Sequence, residues 1–354
     1  MGTSEPRTVD FGLWYDFRNP PGARRPAEAL YAQALEQIAR AERLGFDAVW
    51  VSEHHFCEDG YTPSPLILLA AVAARTSRLR LGTALMIPAL HDPVRLAEDA
   101  ASLAILSDGR FDLGVGAGYR ELEFEAFGRS TRHRPSLLEE SVAILRQAWS
   151  GAALDHAGRR FSPPAVGITP VPARPPRILV GASAEAAIER AARVGDGFLS
   201  PANDAFGAYV EAFERVGRDP AEARIAAVQF AIVDRDPERT WARVGELAVA
   251  QLNTYIGWGA FGPPELTPRF ESPEAVLAAG AYRLWDGPAA VAELEDLLAA
   301  WPQVEAVHWP ALLPGEEVES GSARIEYAAE AVLPELRGRL GLEAAATAWA
   351  GGAR

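Results

Sequence analysis

The sequence predicts an α/β fold, a (β/α)8 TIM barrel in a single domain, on three observations. Apolar strand-like runs alternate with helix-like segments along the 354 residues, eight such pairs can be counted, and two interruptions, residues 151–176 and 252–287, follow the fourth and seventh strands as insertions. Strands separated by helices pair in parallel through right-handed crossovers, and eight such units close a barrel. The competing architecture, an open doubly wound sheet, needs a glycine-rich phosphate loop after its first strand; LWYDFRNPPG stands there instead.

The elements run in order along the chain. VDFGLWY (9–15) is the first strand, and ALYAQALEQIARAERLG after it carries apolar residues at helical spacing and closes at Gly45 as a C-cap. DAVWVSE (47–53) is the second strand, Pro65 opens a helix running to Thr76, and LRLGTALMIP (79–88) is the third strand. Asp92 and Pro93 supply an N-cap and a first-turn proline for a helix to Leu106. RFDLGVGAG (110–118), the fourth strand, runs straight into glycines. Helix SLLEESVAILRQAW (136–149) precedes the fifth strand, RILVGAS (177–183). Helices AEAAIERAARVG and AFGAYVEAFERVG flank the sixth, DGFLSPA, and RIAAVQFAIVD (224–234) is the seventh. Helix PAAVAELEDLLAAW (288–301), strand VEAVHWPAL (304–312) and helix SARIEYAAEAVLPELR complete the set. One domain is expected over 1–354, the two insertions serving as lid or substrate loops.

Composition narrows the chemistry. A formal charge of −14 disfavours a nucleic-acid partner, which needs clustered positive charge. All 34 cationic side chains are arginine, so no lysine exists for a Schiff base or a P-loop. Cys57 is the sole cysteine, leaving no disulfide and no cysteine-based zinc site. No segment approaches the roughly 18 apolar residues of a membrane span, and MGTSEPRTVD lacks the features of a secretory signal. A cytoplasmic protein with small-molecule partners, and no membrane partner, is expected.

Barrel sites form at the C-terminal ends of strands, and reactive side chains gather there. Trp14 and Tyr15 end the first strand, Glu53, His54, His55, Phe56 and Cys57 the second, and Tyr119 and Arg120 follow the glycines of the fourth. His91 follows the third, and His308 and Trp309 end the last. Adjacent residues of an extended chain point to opposite sides, so of His54 and His55 one is expected at the pore as an acid/base and the other in the wall. Glu53 reads as the acceptor that fixes a histidine tautomer and Cys57 as packing. Gly116, Ala117 and Gly118 would let a flat ring approach the backbone. Gly181, Ala182 and Ser183 precede a helix, and there either a phosphate rests on backbone N–H groups or a serine simply caps the turn. Trp14, Tyr15, Phe56 and Trp309, with Tyr255 and Trp258 of the later insertion, are the candidate substrate contacts. No metal is expected, although a barrel metallohydrolase would also place histidines at strand ends.

The ordered set FGLWY, ERLGFDAVWVSEHHF, LRLGTALMIPALHDPVRLAEDAASLAILSDGRFDLGVGAGY and EFEAFG resembles the bacterial luciferase-like flavin monooxygenases, most strongly over 9–150. The resemblance implies reduced FMN delivered by a separate flavin reductase, reaction with O2 through a C4a-peroxyflavin, and oxygenation of a hydrophobic organic substrate. It implies His54 as catalytic base with His55 also required, a non-prolyl cis peptide at Ala84 and Leu85 beneath the flavin, Gly116–Tyr119 beside the ring, Gly181–Ser183 at the phosphate, and a homodimer. Where luciferase itself has a phosphate-contacting arginine this chain has Ala117, which implies either weaker flavin affinity or substitution by Arg120 or Arg177. Relatives with VGAGY that use a deazaflavin for hydride transfer supply one alternative, and a catalytically silent flavin-binding subunit another.

Overall fold

The computed structural model describes residues 8–342; the expected domain span thus includes residues 1–7 and 343–354, which lie outside the described residues. Eight parallel strands form a closed barrel. They are β1 Asp10–Tyr15, β2 Ala48–Val51, β3 Arg80–Thr83, β4 Phe111–Gly116, β5 Arg177–Gly181, β6 Gly197–Ser200 and β7 Ile225–Val228. After β8 Ala231–Val233 and β9 Arg283–Trp285, β10 Val304–Pro310 closes the barrel between β7 and β1. Helices cover the outside, and the Asp92–Pro93 signal works as expected: the Asp92 carboxylate accepts the Val94 and Arg95 N–H groups of helix Pro93–Leu106.

Strand parity sorts the core into two populations. Trp14, Ala48, Trp50, Leu179, Leu199, Ala226, Val228 and Ala306 fill the barrel interior. Their strand neighbours, among them Phe11, Leu13, Tyr15, Val49, Val51, Val307 and Trp309, pack in the layer between barrel and helices. Interior positions at the N-terminal rim carry charge instead. Arg80 bonds Asp10 at 3.0 Å and also Asp112, and Arg177 bonds Asp112 at 2.8 Å and Glu305 at 2.6 Å. The barrel thus has an ionic floor, an apolar middle and a wide upper rim.

The largest departure from expectation concerns the seventh strand and the chain beyond it. The run 224–234 divides at Gln229 and Phe230: β7 belongs to the barrel, while β8 leaves it and pairs in parallel with β9 as a separate two-stranded sheet. The segment expected as insertion 252–287 begins inside a 22-residue helix, Pro237–Trp258, started by Asp236 and Pro237 and ended by Gly259 with φ 87°. A shorter helix, Pro273–Ala278, and β9 follow, and irregular chain lies mainly in 259–272. Segment 151–176 is an insertion between helix Arg134–Ala148 and β5. No helix among the described residues is long and apolar enough to cross a membrane.

Candidate active site

The chain leaving β2 turns sharply, Phe56 adopting φ 55°, and buries both histidines on opposite sides of the backbone. His54 Nδ1 lies 2.9 Å from Glu123 Oε1, and its Nε2 lies 2.9 Å from the Tyr119 hydroxyl. Its ring is boxed by Tyr61 at 4.7 Å, Trp258 at 4.9 Å and Tyr119 at 5.4 Å between centroids. The Tyr61 and Tyr255 hydroxyls pair at 3.0 Å behind it. His55 faces the other way, edge-on to Phe127 at 4.9 Å, with Nε2 3.0 Å from Glu53 Oε1.

Glu53 is a hub between two loops. Its Oε1 is 2.6 Å from His91 Nε2 and its Oε2 accepts the Ile87 N–H at 2.5 Å. Burial pushes the carboxyl pKa up, and the hydrogen bonds from His55 and His91 outweigh it, leaving a value of about 2. Burial alone would lower the His91 pKa, yet the bond to Glu53 raises it. Glu53, His55 and His91 are the one cluster of metal-donor side chains among the described residues, their ligand atoms within 4.8 Å of one another. Both imidazole N–H groups converge on Glu53 Oε1, so the set is closed by its own hydrogen bonds.

The ends of β3, β4 and β5 form the adjoining platform. The Ala84–Leu85 peptide is cis, as the resemblance implies. Trp14 Nε1 donates to Ser52 Oγ at 2.5 Å, and Ser52 donates to the Ala84 carbonyl at 2.7 Å, so the first strand supports the third. A Cβ on Gly116 would meet Leu85 Cδ1 at 2.9 Å, and one on Gly181 at 2.2 Å. Side-chain-free positions on β4 and β5 therefore let the Leu85 side chain lie across the top of the barrel. Gly118, at φ 74°, turns the chain so that Ala117 and Tyr119 follow the rim. Beyond β5, Ala184 and not Ser183 is the N-cap of helix Glu185–Val194, and no side chain caps it. Ala182 is half-buried and Ser183 exposed, beside the N–H groups of the first helical turn.

Two expected substrate contacts point elsewhere. Tyr15 faces the helix layer, its hydroxyl donating to Gln37 Oε1 at 2.8 Å, and Trp309 faces the same layer against Phe46 at 5.7 Å. Both are the outward neighbours of inward residues, Trp14 and His308. His308 lies in the interior, stacked on Trp50 at 5.0 Å with neither ring nitrogen partnered among the described residues, and burial pushes its pKa down to about 3. Phe56 is exposed at the rim against Phe127, while Tyr255 and Trp258 sit in the last turn of helix Pro237–Trp258 over His54. Arg177 belongs to the ionic floor and does not reach the upper rim. Arg120 bonds the His55 and Phe56 carbonyls and lies 4.6 Å from the Trp258 ring centroid, so it braces the β2 loop. Burial raises the Cys57 thiol pKa to about 11 despite Arg120 at 3.2 Å, in keeping with a packing role.

Glu123 is the site residue that sequence reading missed. It sits in a short helix, Glu121–Ala126, and its side chain is fully buried. Besides His54, its Oε1 accepts the His55 backbone N–H at 2.9 Å. A useful signal was Phe124 beside it: an apolar residue amid glutamates marks a face turned inward.

Three comparisons bear on this site. The family model described as luciferase-like monooxygenase matches residues 9–296. The F420-dependent hydroxymycolic acid dehydrogenase of Mycobacterium tuberculosis is 35% identical over 219 residues, covering 58% of this chain and 60% of that protein. The F420-dependent glucose-6-phosphate dehydrogenase of Amycolatopsis mediterranei is 31% identical over 211 residues, with 58% and 63% covered. The chain thus spans less than two thirds of the length of these curated relatives. Among solved structures, the monooxygenase RslO1 from Streptomyces bottropensis superposes with TM-score 0.79 at 25% identity, covering 92% of this chain and 99% of that one. With the family model matched from the first strand to beyond β9, and the same barrel in solved relatives, this chain belongs to the luciferase-like monooxygenase family.

Proposed function

We propose that this protein is an oxidoreductase, a flavin-dependent monooxygenase that receives reduced FMN from a separate reductase and uses O2 to oxygenate a hydrophobic organic substrate. The observation that carries the reading is the setting of His54. One ring nitrogen faces a buried carboxylate, the other faces a phenol on the platform loop, and aromatic rings surround the imidazole. That is how a proton-transfer group is built where water must be kept out.

The residues present fit a planar, tailed cofactor. The glycines facing Leu85 leave the platform free of protruding side chains, and the uncapped helix start at Glu185 with Ser183 suits an anionic tail. Leu85 and the Ala84–Leu85 peptide would lie beneath the ring, Gly116–Tyr119 beside it, and Gly181–Ser183 at the phosphate. When bound, reduced flavin supplies the two electrons that activate O2. The protein's own part is to orient and to move protons: Glu123 holds His54, Glu53 holds His55, and Tyr61, Tyr255 and Trp258 exclude water. Loop 259–272, with Phe261 and Leu266 exposed, is the proposed substrate-side lid. Exposed Ile67, Ile105 and Leu106 on the outer helices support a homodimer.

The names of the curated relatives favour a second reading, hydride transfer with a deazaflavin, in which the same base would take the hydroxyl proton of an alcohol. One experiment separates the two. The protein is titrated anaerobically with reduced FMN and with reduced deazaflavin, and O2 uptake is then followed. Saturable FMN binding with His54-dependent O2 consumption is the expected result. Tight deazaflavin binding without O2 consumption would replace the first reading by the second, and binding of neither would end both.

A further inference from the structure

We propose that His54 exchanges protons through Tyr119, so that Glu123, His54 and Tyr119 form a single relay whose phenol end meets the reacting atom. The inference rests on the oxidoreductase reading of the site and assigns Tyr119 a role beyond lining the cofactor.

The bonding order follows from donor counting. Glu123 Oε1 accepts the His55 backbone N–H at 2.9 Å, has Arg120 Nη1 at 3.4 Å and has His54 Nδ1 at 2.9 Å. A carboxylate oxygen in that position is an acceptor, so the proton of the third contact sits on His54 Nδ1. A neutral imidazole with Nδ1 protonated has a bare Nε2, and the hydrogen-bond partner of that nitrogen is the Tyr119 hydroxyl at 2.9 Å. The basic lone pair of His54 is therefore already engaged. The rest of the ring is packed against Tyr61 and Trp258, and the side chain is 7% exposed. Tyr119 stands at the end of the row, directly after the platform glycines, and among the described residues its hydroxyl bonds only His54, which leaves both oxygen lone pairs to offer. Burial raises its pKa well above the usual 10, which keeps the phenol protonated and donating at rest.

The transfer balances with protons alone. A donor X–H bond breaks as its proton joins the Tyr119 oxygen; the phenol O–H bond breaks as that proton passes to His54 Nε2. The resulting imidazolium is held by the Glu123 carboxylate, and the reverse sequence returns a proton to the product. No electrons move in the relay.

Two measurements test it. In 15N-histidine-labelled protein without cofactor, His54 is expected as the Nδ1–H tautomer with an unprotonated Nε2; finding the proton on Nε2 overturns the relay whatever cofactor the protein uses. In protein loaded with reduced FMN, oxidation by O2 is followed in wild type, Tyr119→Phe and His54→Asn. Both variants are expected to lose about 10²-fold in rate with FMN binding retained, and the double variant to be no slower than either. The proton inventory in H2O/D2O mixtures is expected to be curved for wild type and linear for Tyr119→Phe. Wild-type rate in Tyr119→Phe with loss in His54→Asn would overturn the relay and leave the oxidoreductase reading standing. Failure to bind either reduced cofactor would defeat that reading, and the tautomer measurement would still decide the bonding order.

Discussion

Glu53 shows how much a single buried carboxylate can organise. It takes N–H groups from His55 on one loop and from Ile87 and His91 on the next, and so fixes the β2 and β3 loops against each other. Glutamine has one acceptor oxygen and would aim its amide N–H groups at existing donors. Glu53→Gln is therefore expected to cost about 1.5–3 kcal/mol, the range for hydrogen bonds to charged groups, read as a lower urea midpoint. The pH dependence has a definite sign. The folded pKa, about 2, lies below the ordinary 4.5, so the stabilisation is complete above pH 4.5 and is lost as pH falls toward 2. That share of acid sensitivity should vanish in the variant. The opposed facing of His54 and His55 was legible because extended chain alternates sides. The same alternation would have turned Tyr15 and Trp309 outward, since each adjoins an inward residue. The tie from His54 to Glu123 was not legible, because it joins positions 69 residues apart, one in the loop after β2 and the other in the short helix after β4.

At the scale of elements, local signals served best where they were strong. Asp92–Pro93 marked a helix start correctly, and Asp236–Pro237 carries the same chemistry: the Asp236 side chain accepts the Arg239 N–H at 3.1 Å. The glycine and aromatic content of 252–287 masked that helix, as did the continuous apolar run 224–234, whose break at Gln229 depends on tertiary pairing of β8 with β9. The consequence falls on the candidate site, because the helix ends by placing Tyr255 and Trp258 over His54. Trp258 lies near two guanidinium groups, with Arg120 at 4.6 Å and Arg18 at 5.8 Å from the ring centroid. Trp258→Ala is expected to lower stability by about 1–2 kcal/mol through lost cation–π contact. It is also expected to speed modification of His54 by diethyl pyrocarbonate, mapped by peptide mass spectrometry. An unchanged His54 rate would show that the helix end does not roof that imidazole.

For the whole molecule, the barrel separates stability from chemistry along its axis. The candidate site occupies the C-terminal rim, while the N-terminal end is closed by Asp10, Arg80, Asp112, Arg177 and Glu305. Asp112 is the centre of that floor, buried and bonded by two arginines. Burial raises its carboxyl pKa, and Arg177 and Arg80 more than reverse this, bringing it to about 2. Removing one partner of a buried ion pair leaves the other uncompensated, which costs about 3–5 kcal/mol. Asp112→Asn should therefore lower thermal and denaturant stability strongly at neutral pH. Because a depressed carboxylate stabilises only while it is ionised, the gap between wild type and variant should close as pH falls from the ordinary value of 3.8 toward 2. The rim residues touch none of these groups, so cofactor affinity measured well below the unfolding temperature should be unaltered. A variant that kept its stability but lost the cofactor would mean that floor and rim are coupled, and that strand tilt, set at the bottom of the barrel, also positions Leu85 and His54 at the top.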